Sequence, residues 1–249
     1  MPTKSEATAL VTGSSGPLGS TLVSALKSQG YFVVGFDFVS PHVDSAPDQF
    51  ELVDLLDSEA VRERIRALSA ERVISHVVNN AAITSEKAGP GFASDFSAQT
   101  DSAFLAAAQV NLLAPFTIVN ELIRCQKRPL VSVVNIGSTY GLVGPNLRIY
   151  EGTTMGNSAA YAATKGGLIQ LTRYLATALA PHTRVNSVSP GGIERNHPQR
   201  FVDQYSQLVP LGRMNTESET VQAILFLLGE QASYITGQNL AVDGGWTAW

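Results

Sequence analysis

The sequence predicts a single α/β domain over residues 1–249, built as a doubly wound parallel sheet of about seven strands with helices on both faces. Short apolar, β-branched runs alternate with helix-like stretches along the chain, which is typical of this fold class. Several runs are apolar nearly throughout, as strands buried on both faces are. No internal repeat or linker divides the chain, and its 44% hydrophobic composition supplies a large core.

Each predicted strand contains valine, and most add phenylalanine, isoleucine or threonine, which favour extended backbone. In chain order the strands are predicted at 8–12, 31–36, 49–53, 72–79, 130–136, 183–188 and 238–242. The stretches between them carry helical patterns, predicted at 18–29, 58–69, 100–127, 158–180, 199–207 and 217–229. Glycine and proline at 88–91 and 141–157 predict loops within the domain.

Composition excludes several function classes. The net charge of −4 argues against nucleic acid or an anionic membrane as a partner. Cys125 is the single cysteine, which excludes an internal disulfide and a cysteine zinc site, and the four histidines have no metal-ligand spacing, so no metal is expected. The N-terminus lacks the apolar core of a signal peptide, and no apolar run approaches a membrane span. We therefore expect a cytoplasmic protein.

A glycine-rich turn follows the first strand in "ALVTGSSGPLGSTLVSALKSQG", with Gly13, Gly16 and Gly19 spaced by three. In a dinucleotide site, Gly13 permits the tight turn, Gly16 lets the backbone approach a pyrophosphate, and Gly19 lets the helix pack close to the strand. Pro17 suits the first helical position. An αβ turn without a ligand is the alternative, and the position between the first strand and a helix favours the dinucleotide site.

Asp37 ends the second predicted strand, eighteen residues after Gly19. An acidic residue there accepts hydrogen bonds from the adenosine ribose and repels a 2′-phosphate, so the sequence favours NAD over NADP. A solvated residue at a strand end is the alternative for Asp37.

Tyr161 and Lys165 lie four residues apart in the alanine-rich stretch "SAAYAATKGG", which is predicted as helix. Their side chains share one helix face, and a nearby ammonium is expected to lower the pKa of the phenol toward neutrality. Tyr161 would then serve as a proton donor and acceptor. Because Tyr-x-x-x-Lys also arises by chance on solvated helices, the pair alone leaves both interpretations open.

Five motifs together resemble the short-chain dehydrogenase/reductase family, in its short single-domain branch with a Rossmann-type fold. They occur in the family's order and span nearly the whole chain: "TGSSGPLG", "VVNNAAI", "NIGS" with "YAATK", "VNSVSPGG" and "GQNLAVDGG".

The resemblance implies a catalytic tetrad. Tyr161 would be the acid/base, Lys165 would hold the nicotinamide ribose and lower the tyrosine pKa, Ser138 would bind the substrate oxygen, and Asn111 would hold a water in a proton relay. Ser138 as a strand-end cap and Asn111 as a backbone-bonding side chain are the alternatives. The resemblance assigns cofactor contacts to Gly13, Ser15, Gly16, Leu18, Gly19, Asp37, Asp54, Leu55, Asn80, Ala81, Ala82, Tyr161, Lys165, Pro190, Gly191 and Ile193.

The chain departs from the commonest short members at three places. The turn reads T-G-x-x-G-x-x-G, a spacing typical of the longer epimerase-like branch; "NNAA" replaces "NNAG"; and Ser138 and Tyr161 are 23 residues apart, which is longer than usual. The insertion "GLVGPNLRIYEGTTMGNSA", with "SPGGIERNHPQRFVDQY", resembles a subgroup linked to flagellin modification and nonulosonic acid biosynthesis, which implies sugar substrates carrying phosphate or nucleotide. Substrate contacts are predicted at Arg148, Tyr150, Arg195, His197 and Arg200, since arginine binds two oxygens of an anion; solvent-facing loop charges are the alternative.

The sequence thus predicts an NAD(P)-dependent oxidoreductase that interconverts a secondary alcohol and a ketone, on a sugar phosphate or nucleotide-sugar type of substrate. A 3-oxoacyl-thioester or polyol reductase and, from another class, a non-catalytic dinucleotide sensor are the alternatives. The family implies a homotetramer or homodimer, with helices 100–127 and 158–180 as its interfaces.

Overall fold

The computed structural model describes residues 7–83, 85–153 and 155–249. The first six residues, on which part of the signal-peptide prediction rests, and Thr154 of the insertion lie outside them. The strands are β1 (Thr8–Thr12), β2 (Phe32–Asp37), β3 (Gln49–Leu52), β4 (His76–Asn79), β5 (Ser132–Ile136), β6 (Arg184–Pro190) and β7 (Asn239–Val242). The helices are α1 (Pro17–Ser28), α2 (Ser58–Glu71), α3 (Ser85–Ala88), α4 (Asp101–Ala108), α5 (Ala114–Cys125), α6 (Ala159–Ala178), α7 (Gln199–Ser206) and α8 (Glu217–Leu228).

Within those described ranges, seven strands form one sheet in the order β3-β2-β1-β4-β5-β6-β7. Every neighbouring pair is parallel. The chain moves outward through β2 and β3 on one side of β1, then returns to place β4 on the other side. This reversal opens a crevice at the carboxyl ends of β1 and β4, where open α/β sheets bind their ligands. The predicted doubly wound, seven-stranded fold is confirmed.

Each face of the sheet is covered by its own helical layer and apolar core. On one face, α1 and α8 pack together, and their side chains Leu22 and Ile224 are fully buried. On the other face, α2 packs against α5 and α4 packs against α6, around Phe36, Ile65 and Ile118. Buried residues on both faces explain why β1 and β5 are apolar nearly throughout.

The continuous helix predicted at 100–127 is wrong in one respect, because a π-helical segment, Gln109–Leu113, separates α4 from α5. Pro115 explains the interruption, since it has no N–H to donate to the carbonyl of Asn111 in a regular i to i+4 bond. The predicted strand 72–79 shortens to β4, and the N–H of Ile74 before it donates to the Gln126 side chain instead of to a neighbouring strand. The short helix α3, next to the predicted loop at 88–91, was not predicted.

The span Asp101–Cys125 is also long and apolar enough to cross a membrane by length and composition. Half of its most apolar window is buried inside the protein, where α4 and α5 pack against α6 and α2. We therefore interpret it as a core helix.

Candidate active site

A cavity of about 680 Å³ lies at the carboxyl ends of the strands. Its walls come from the glycine turn, the ends of β2, β4, β5 and β6, the first turns of α6, and the segment around α7. One long crevice therefore brings together motifs from the two halves of the sequence.

The glycine turn between β1 and α1 has the geometry of a phosphate cradle. Gly13 adopts a φ of 65°, which favours glycine, and an added Cβ there would lie 2.9 Å from the Ala81 Cα. A Cβ at Gly19 would lie 1.9 Å from the Gly13 carbonyl oxygen, so the helix can approach the turn only with glycine there. At Gly16, the nearest atom to an added Cβ is 3.6 Å away, and the residue lines the cavity.

The amino end of α1 is open toward this cavity. Gly16 is its N-cap and supplies no side-chain hydrogen bond, and Pro17 follows as the first helical residue. Backbone N–H groups at such a helix end bind anions, so the turn fits the pyrophosphate of a dinucleotide.

Asp37 closes the turn from the side of β2. Its carboxylate accepts hydrogen bonds from the N–H of Ser15 at 2.9 Å and of Val39 at 3.2 Å, and it also lines the cavity. A carboxylate held here is placed to accept a ribose hydroxyl and to repel a 2′-phosphate.

Asp54 and Leu55 line the same end of the cavity, beyond the end of β3. Burial alone would raise the pKa of Asp54, but hydrogen bonds from Lys87 and from the Leu56 N–H lower it. The Lys87 ammonium lies 2.7 Å from the Asp54 carboxylate and 4.6 Å from the centre of the Phe38 ring. Sequence reasoning did not find Lys87 or Phe38; the position of Phe38 directly after Asp37 was the available signal.

Asn80 supports the glycine turn from the end of β4. Its side-chain amide donates to the carbonyl oxygens of Thr12 and Gly13, each at 3.0 Å, and the N–H of Ala81 donates to the Thr12 hydroxyl. Ala81, Ala82 and Asn80 all line the cavity, as predicted for cofactor contacts, together with Ser15 and Leu18. The Asn80 side chain thus holds the turn in shape as well as bordering the site.

The opposite end of the cavity contains the Ser138, Tyr161 and Lys165 side chains. Ser138 follows β5 and caps the next turn, where its hydroxyl accepts from the Tyr140 N–H at 3.2 Å. Ser158 caps α6 by accepting from the Tyr161 N–H at 3.0 Å, which places Tyr161 in the first helical turn. The Ser138 hydroxyl is close enough to the Tyr161 phenol to lower its pKa by hydrogen bonding to the ionised form.

Lys165 lies one helical turn beyond Tyr161 on the same face. It is only 1% exposed, its ammonium donates to the Ile136 carbonyl at 2.6 Å, and the nitrogen is 5.8 Å from the centre of the Tyr161 ring. Burial lowers the pKa of Lys165 to about 8. A cation with one carbonyl partner is therefore held in a largely dry site.

The prediction that the Tyr161 pKa is lowered toward neutrality is wrong. Burial raises the pKa of Tyr161, and the Ser138 hydrogen bond and the charge of Arg195 only partly offset it. Lys165 is not among the groups that lower it. The expectation from helix spacing neglected the loss of water around both groups.

Asn111 lies in the π-helical segment and is fully buried. Its side-chain oxygen accepts from the Ile83 N–H at 2.9 Å, and its amide donates to the Thr164 hydroxyl at 3.0 Å. Asn111 is not part of the cavity wall; its side chain links the segment after β4 to α6. Both side-chain groups of Asn111 are thus engaged, and its role in a proton relay stays a prediction.

Pro190, Gly191 and Ile193 line the cavity after β6, where the nicotinamide contacts were predicted. Tyr205 of α7 holds this segment, since its hydroxyl accepts from the Gly192 N–H at 2.5 Å.

The wall opposite Tyr161 is aromatic. Tyr140, Tyr150, Phe201 and Tyr205 line it, and the hydroxyl groups of Tyr140 and Tyr150 lie 2.9 Å apart. Of these, only Tyr150 was predicted. The position of Tyr140, two residues after Ser138, was the signal for it.

The insertion before α6 also packs against two segments outside the cavity wall. A Cβ added at Gly152 would lie 2.7 Å from the guanidinium carbon of Arg200, and one at Gly156 would lie 2.5 Å from the Ala93 carbonyl oxygen. The insertion therefore packs between the segment before α4 and the start of α7.

Three of the five predicted substrate contacts lie at the cavity: Tyr150, Arg195 and His197. The Arg195 guanidinium is held by Glu217 at 2.7 Å, and its backbone N–H donates to His197 Nδ1 at 3.0 Å. Burial, and then the charge of Arg195, lower the pKa of His197.

The predictions for Arg148 and Arg200 are not supported by the geometry. Both are exposed and outside the cavity wall, and Arg200 packs over Gly152 on the outer side of the insertion. Proximity in sequence to the insertion and to α7 did not specify which side of each loop faces the site.

In the described part of the chain, no group of three histidine, cysteine, aspartate or glutamate residues is placed to hold a metal ion.

Comparison with known proteins agrees with this geometry. A family model described as enoyl-(acyl carrier protein) reductase matches residues 15–247. An uncharacterized short-chain type dehydrogenase/reductase of Sinorhizobium fredii is 33% identical over 252 residues, which cover 95% of this chain and 43% of that protein. The 3-oxoacyl-[acyl-carrier-protein] reductase of Buchnera aphidicola is 30% identical over 251 residues, covering 96% of each chain.

Among solved structures, the short-chain dehydrogenase of Leptospira borgpetersenii with bound NAD+ superposes with a TM-score of 0.87 at 32% identity, covering 99% of this chain and 96% of that one. The chain therefore belongs to the short-chain dehydrogenase/reductase family, and it is an oxidoreductase with a nicotinamide dinucleotide site on a Rossmann-type fold.

Proposed function

We propose that this enzyme interconverts a secondary alcohol and a ketone, with NAD(H) as its preferred cofactor and an anionic sugar derivative as its substrate. The observation that carries the proposal is the placement of Tyr161 and Ser138, with Lys165 one helical turn from Tyr161, in the same cavity as the glycine turn. A site that only binds a dinucleotide needs no such set of proton-carrying groups.

Tyr161 is the group that moves the proton. In alcohol oxidation its phenolate oxygen takes the proton of the substrate hydroxyl; in ketone reduction the phenol returns it. Ser138 donates a hydrogen bond to the substrate oxygen and so stabilises the charge that develops there. The nicotinamide, when bound, accepts or supplies the hydride.

Lys165 positions the ribose of the cofactor, and its ammonium is almost fully buried there. A ribose hydroxyl would give its ammonium a second acceptor beside the Ile136 carbonyl. A water held by Asn111, as the family resemblance implies, is proposed to extend the proton path toward solvent.

The preference for NAD rests on Asp37. Its carboxylate is fixed by two backbone N–H groups at the edge of the cavity, where a 2′-phosphate would meet a negative charge. The Leptospira relative with bound NAD+ supports the same assignment.

The substrate assignment rests on Arg195 and His197. Arg195 is oriented by Glu217, and its planar guanidinium suits a phosphate or carboxylate. A sugar phosphate or nucleotide sugar, as in the nonulosonic acid subgroup that the insertion resembles, combines such an anion with oxidisable hydroxyl groups.

A second candidate is reduction of 3-oxoacyl thioesters, and the similarity to the Buchnera aphidicola reductase favours it. Its substrate would place an acyl chain, rather than a polyol, along the aromatic wall. Activity on acetoacetyl-CoA with NADPH would identify this candidate.

The proposed assembly is a homotetramer or homodimer in the cytoplasm. The predicted interface helix at 100–127 leaves large apolar side chains exposed, among them Leu105 of α4, Leu113 of the π-helical segment and Phe116 of α5. Light scattering with size-exclusion chromatography measures the subunit number directly.

The first experiment compares NADH and NADPH binding to the purified protein by fluorescence titration. Nicotinamide absorbance is then followed with sugar phosphates, nucleotide sugars, polyols and acetoacetyl-CoA. The variant Tyr161→Phe is expected to bind NADH and to lose turnover by at least about a hundredfold, because it keeps the ring and removes the proton carrier.

The matched control is Tyr174→Phe, at a 64% exposed position of α6 outside the cavity wall, which should behave as wild type. NADH binding without turnover on any substrate would instead support a dinucleotide sensor. A preference for NADPH would contradict the assignment of Asp37.

A further inference from the structure

The phenol groups of Tyr140 and Tyr150 meet on the substrate side of the cavity. Tyr140 is in the turn that Ser138 caps, and Tyr150 is in the insertion before α6. Their hydroxyl oxygens are 2.9 Å apart, and both residues line the cavity that contains Tyr161. The Tyr150 phenol is close enough to Tyr161 and Tyr205 to affect the pKa of each.

Two phenols that bond to each other keep hydrogen-bonding capacity for a third group. One hydroxyl proton is used between them, so one proton and several oxygen lone pairs remain. Burial and the neighbouring phenols raise the pKa of Tyr140, which keeps its hydroxyl protonated at neutral pH. The pair therefore offers a donor and an acceptor without a charge.

A row of stacked rings fixes the position of this pair. Tyr150 stacks on Phe201 with ring centres 5.5 Å apart, Phe201 contacts Tyr205 at 5.9 Å, and Tyr205 stacks on Trp246 at 4.5 Å. Because these rings hold Tyr150 in place, its hydroxyl is already oriented before a ligand arrives.

We propose that Tyr140 and Tyr150 form a hydroxyl-recognition pair that makes this enzyme selective for polyhydroxylated substrates over substrates with a single hydroxyl group. One substrate hydroxyl reacts between Ser138 and Tyr161, and a second hydroxyl of the same molecule binds the phenol pair. The inference rests on the proposed alcohol oxidation at Tyr161.

The phenol pair takes no part in the transfer of electrons. In oxidation, the hydride leaves the carbinol carbon for NAD+, the hydroxyl proton passes to the Tyr161 phenolate, and a ketone and NADH result. The second hydroxyl keeps its bonds throughout. A substrate without it would offer no partner to the donor of this part-buried pair, and sites built to bind a hydroxyl discriminate strongly against analogues that lack one.

Cyclohexanol and myo-inositol are the probes for this selectivity, since they share a six-membered carbon ring and differ in the number of hydroxyl groups. For each, kcat/KM with NAD+ is measured for wild type, Tyr140→Phe, Tyr150→Phe, the double variant and the control Tyr174→Phe. Phenylalanine keeps the stacked ring and removes only the hydroxyl.

Wild type is expected to prefer myo-inositol, and each single variant should lower the ratio of kcat/KM for myo-inositol to that for cyclohexanol by about tenfold. The double variant should lose little more, because the two hydroxyls act as one unit. Tyr174→Phe should leave the ratio unchanged.

No preference of wild type for myo-inositol, or an unchanged ratio in Tyr150→Phe, would overturn the proposal. The reaction assignment is tested separately by Tyr161→Phe: if that variant loses turnover on the substrate panel while Tyr150→Phe keeps its ratio, the recognition pair alone is wrong. If Tyr161→Phe keeps turnover, the proposed reaction at Tyr161 is wrong.

Discussion

Replacement of Lys165 by methionine is expected to stabilise the protein while it abolishes turnover. Lys165 is only 1% exposed at the cavity wall, and among the described residues its ammonium has one hydrogen-bond acceptor, the Ile136 carbonyl. Methionine has a similar length and carries no charge, so the Lys165→Met variant removes a cation from a dry site without opening a large cavity.

The magnitude follows from the pKa of the buried amine. Its ordinary value of 10.5 falls to about 8 in the folded protein. At about 1.4 kcal/mol for each pH unit, the charged side chain lowers the free energy of unfolding by roughly 3 kcal/mol at neutral pH. Loss of the bond to the Ile136 carbonyl costs about 1 kcal/mol, so the variant should gain about 2 kcal/mol.

The pH dependence has a defined sign. Below pH 8 Lys165 is protonated in both the folded and the unfolded chain, and its full penalty applies. Between pH 8 and 10.5 the folded protein releases the proton first, so the wild type gains stability as the pH rises. The advantage of Lys165→Met should therefore be largest at pH 7 and shrink toward pH 10.

Urea unfolding of wild type and Lys165→Met at pH 7.0, 8.5 and 10.0, without added cofactor, measures this difference. Lys127→Met, at an exposed position, is the control and should change stability by less than about 0.5 kcal/mol at any pH. A Lys165→Met variant that is less stable than wild type at pH 7, or a difference that does not vary with pH, would refute the reasoning.

Three further predictions concern the glycine turn, a buried histidine and a buried amide. Gly19→Ala should destabilise the fold by several kcal/mol, because its Cβ would lie 1.9 Å from the Gly13 carbonyl oxygen. Gly16→Ala should stay folded and lose NADH affinity. Equal unfolding midpoints for the two variants would contradict this prediction. Burial, and then the charge of Arg184, lower the pKa of His76 to about 4, so the free energy of unfolding should fall by about 3 kcal/mol as the pH drops from 6.5 to 4. The fall should be smaller in His76→Gln than in wild type. Equal falls in urea unfolding would exclude His76 as the cause. Asn111→Ala should cost about 1–3 kcal/mol by leaving the Ile83 N–H without its acceptor, which urea unfolding measures; a smaller loss would mean that the segment after β4 finds another partner.

The fold was predictable because local signals and topology agree along this chain. Valine-rich strands and helix-forming stretches place the elements within a few residues of their observed bounds, and the ordered motifs place Ser138, Tyr161 and Lys165 in one cavity with Gly13 and Asp37. Those side chains follow strand ends or lie on the first turns of a helix, so their placement follows from the sheet itself.

The remaining features depend on long-range packing. Burial raises the pKa of Tyr161, and the spacing of residues along a helix gives no information on burial. The π-helical segment at Asn111 follows from the missing N–H of Pro115, which helix propensity alone does not indicate. Arg148 and Arg200 lie in the predicted segments but on their outer sides, because the side of a loop that faces a cavity is decided by what the loop packs against.

The insertion before α6 separates residues of the cavity wall from the residues that carry the proton, and this separation matters for evolution. The proton-carrying side chains Ser138 and Tyr161 stand on rigid elements at its two ends, while the stretch between them contacts the segment at Ala93 and the start of α7. Exchange of one contiguous stretch of gene can thus reshape the wall opposite Tyr161 without altering the sheet. The proton-carrying residues are encoded outside the insertion, so replacement of the insertion alone can change which substrates the enzyme accepts.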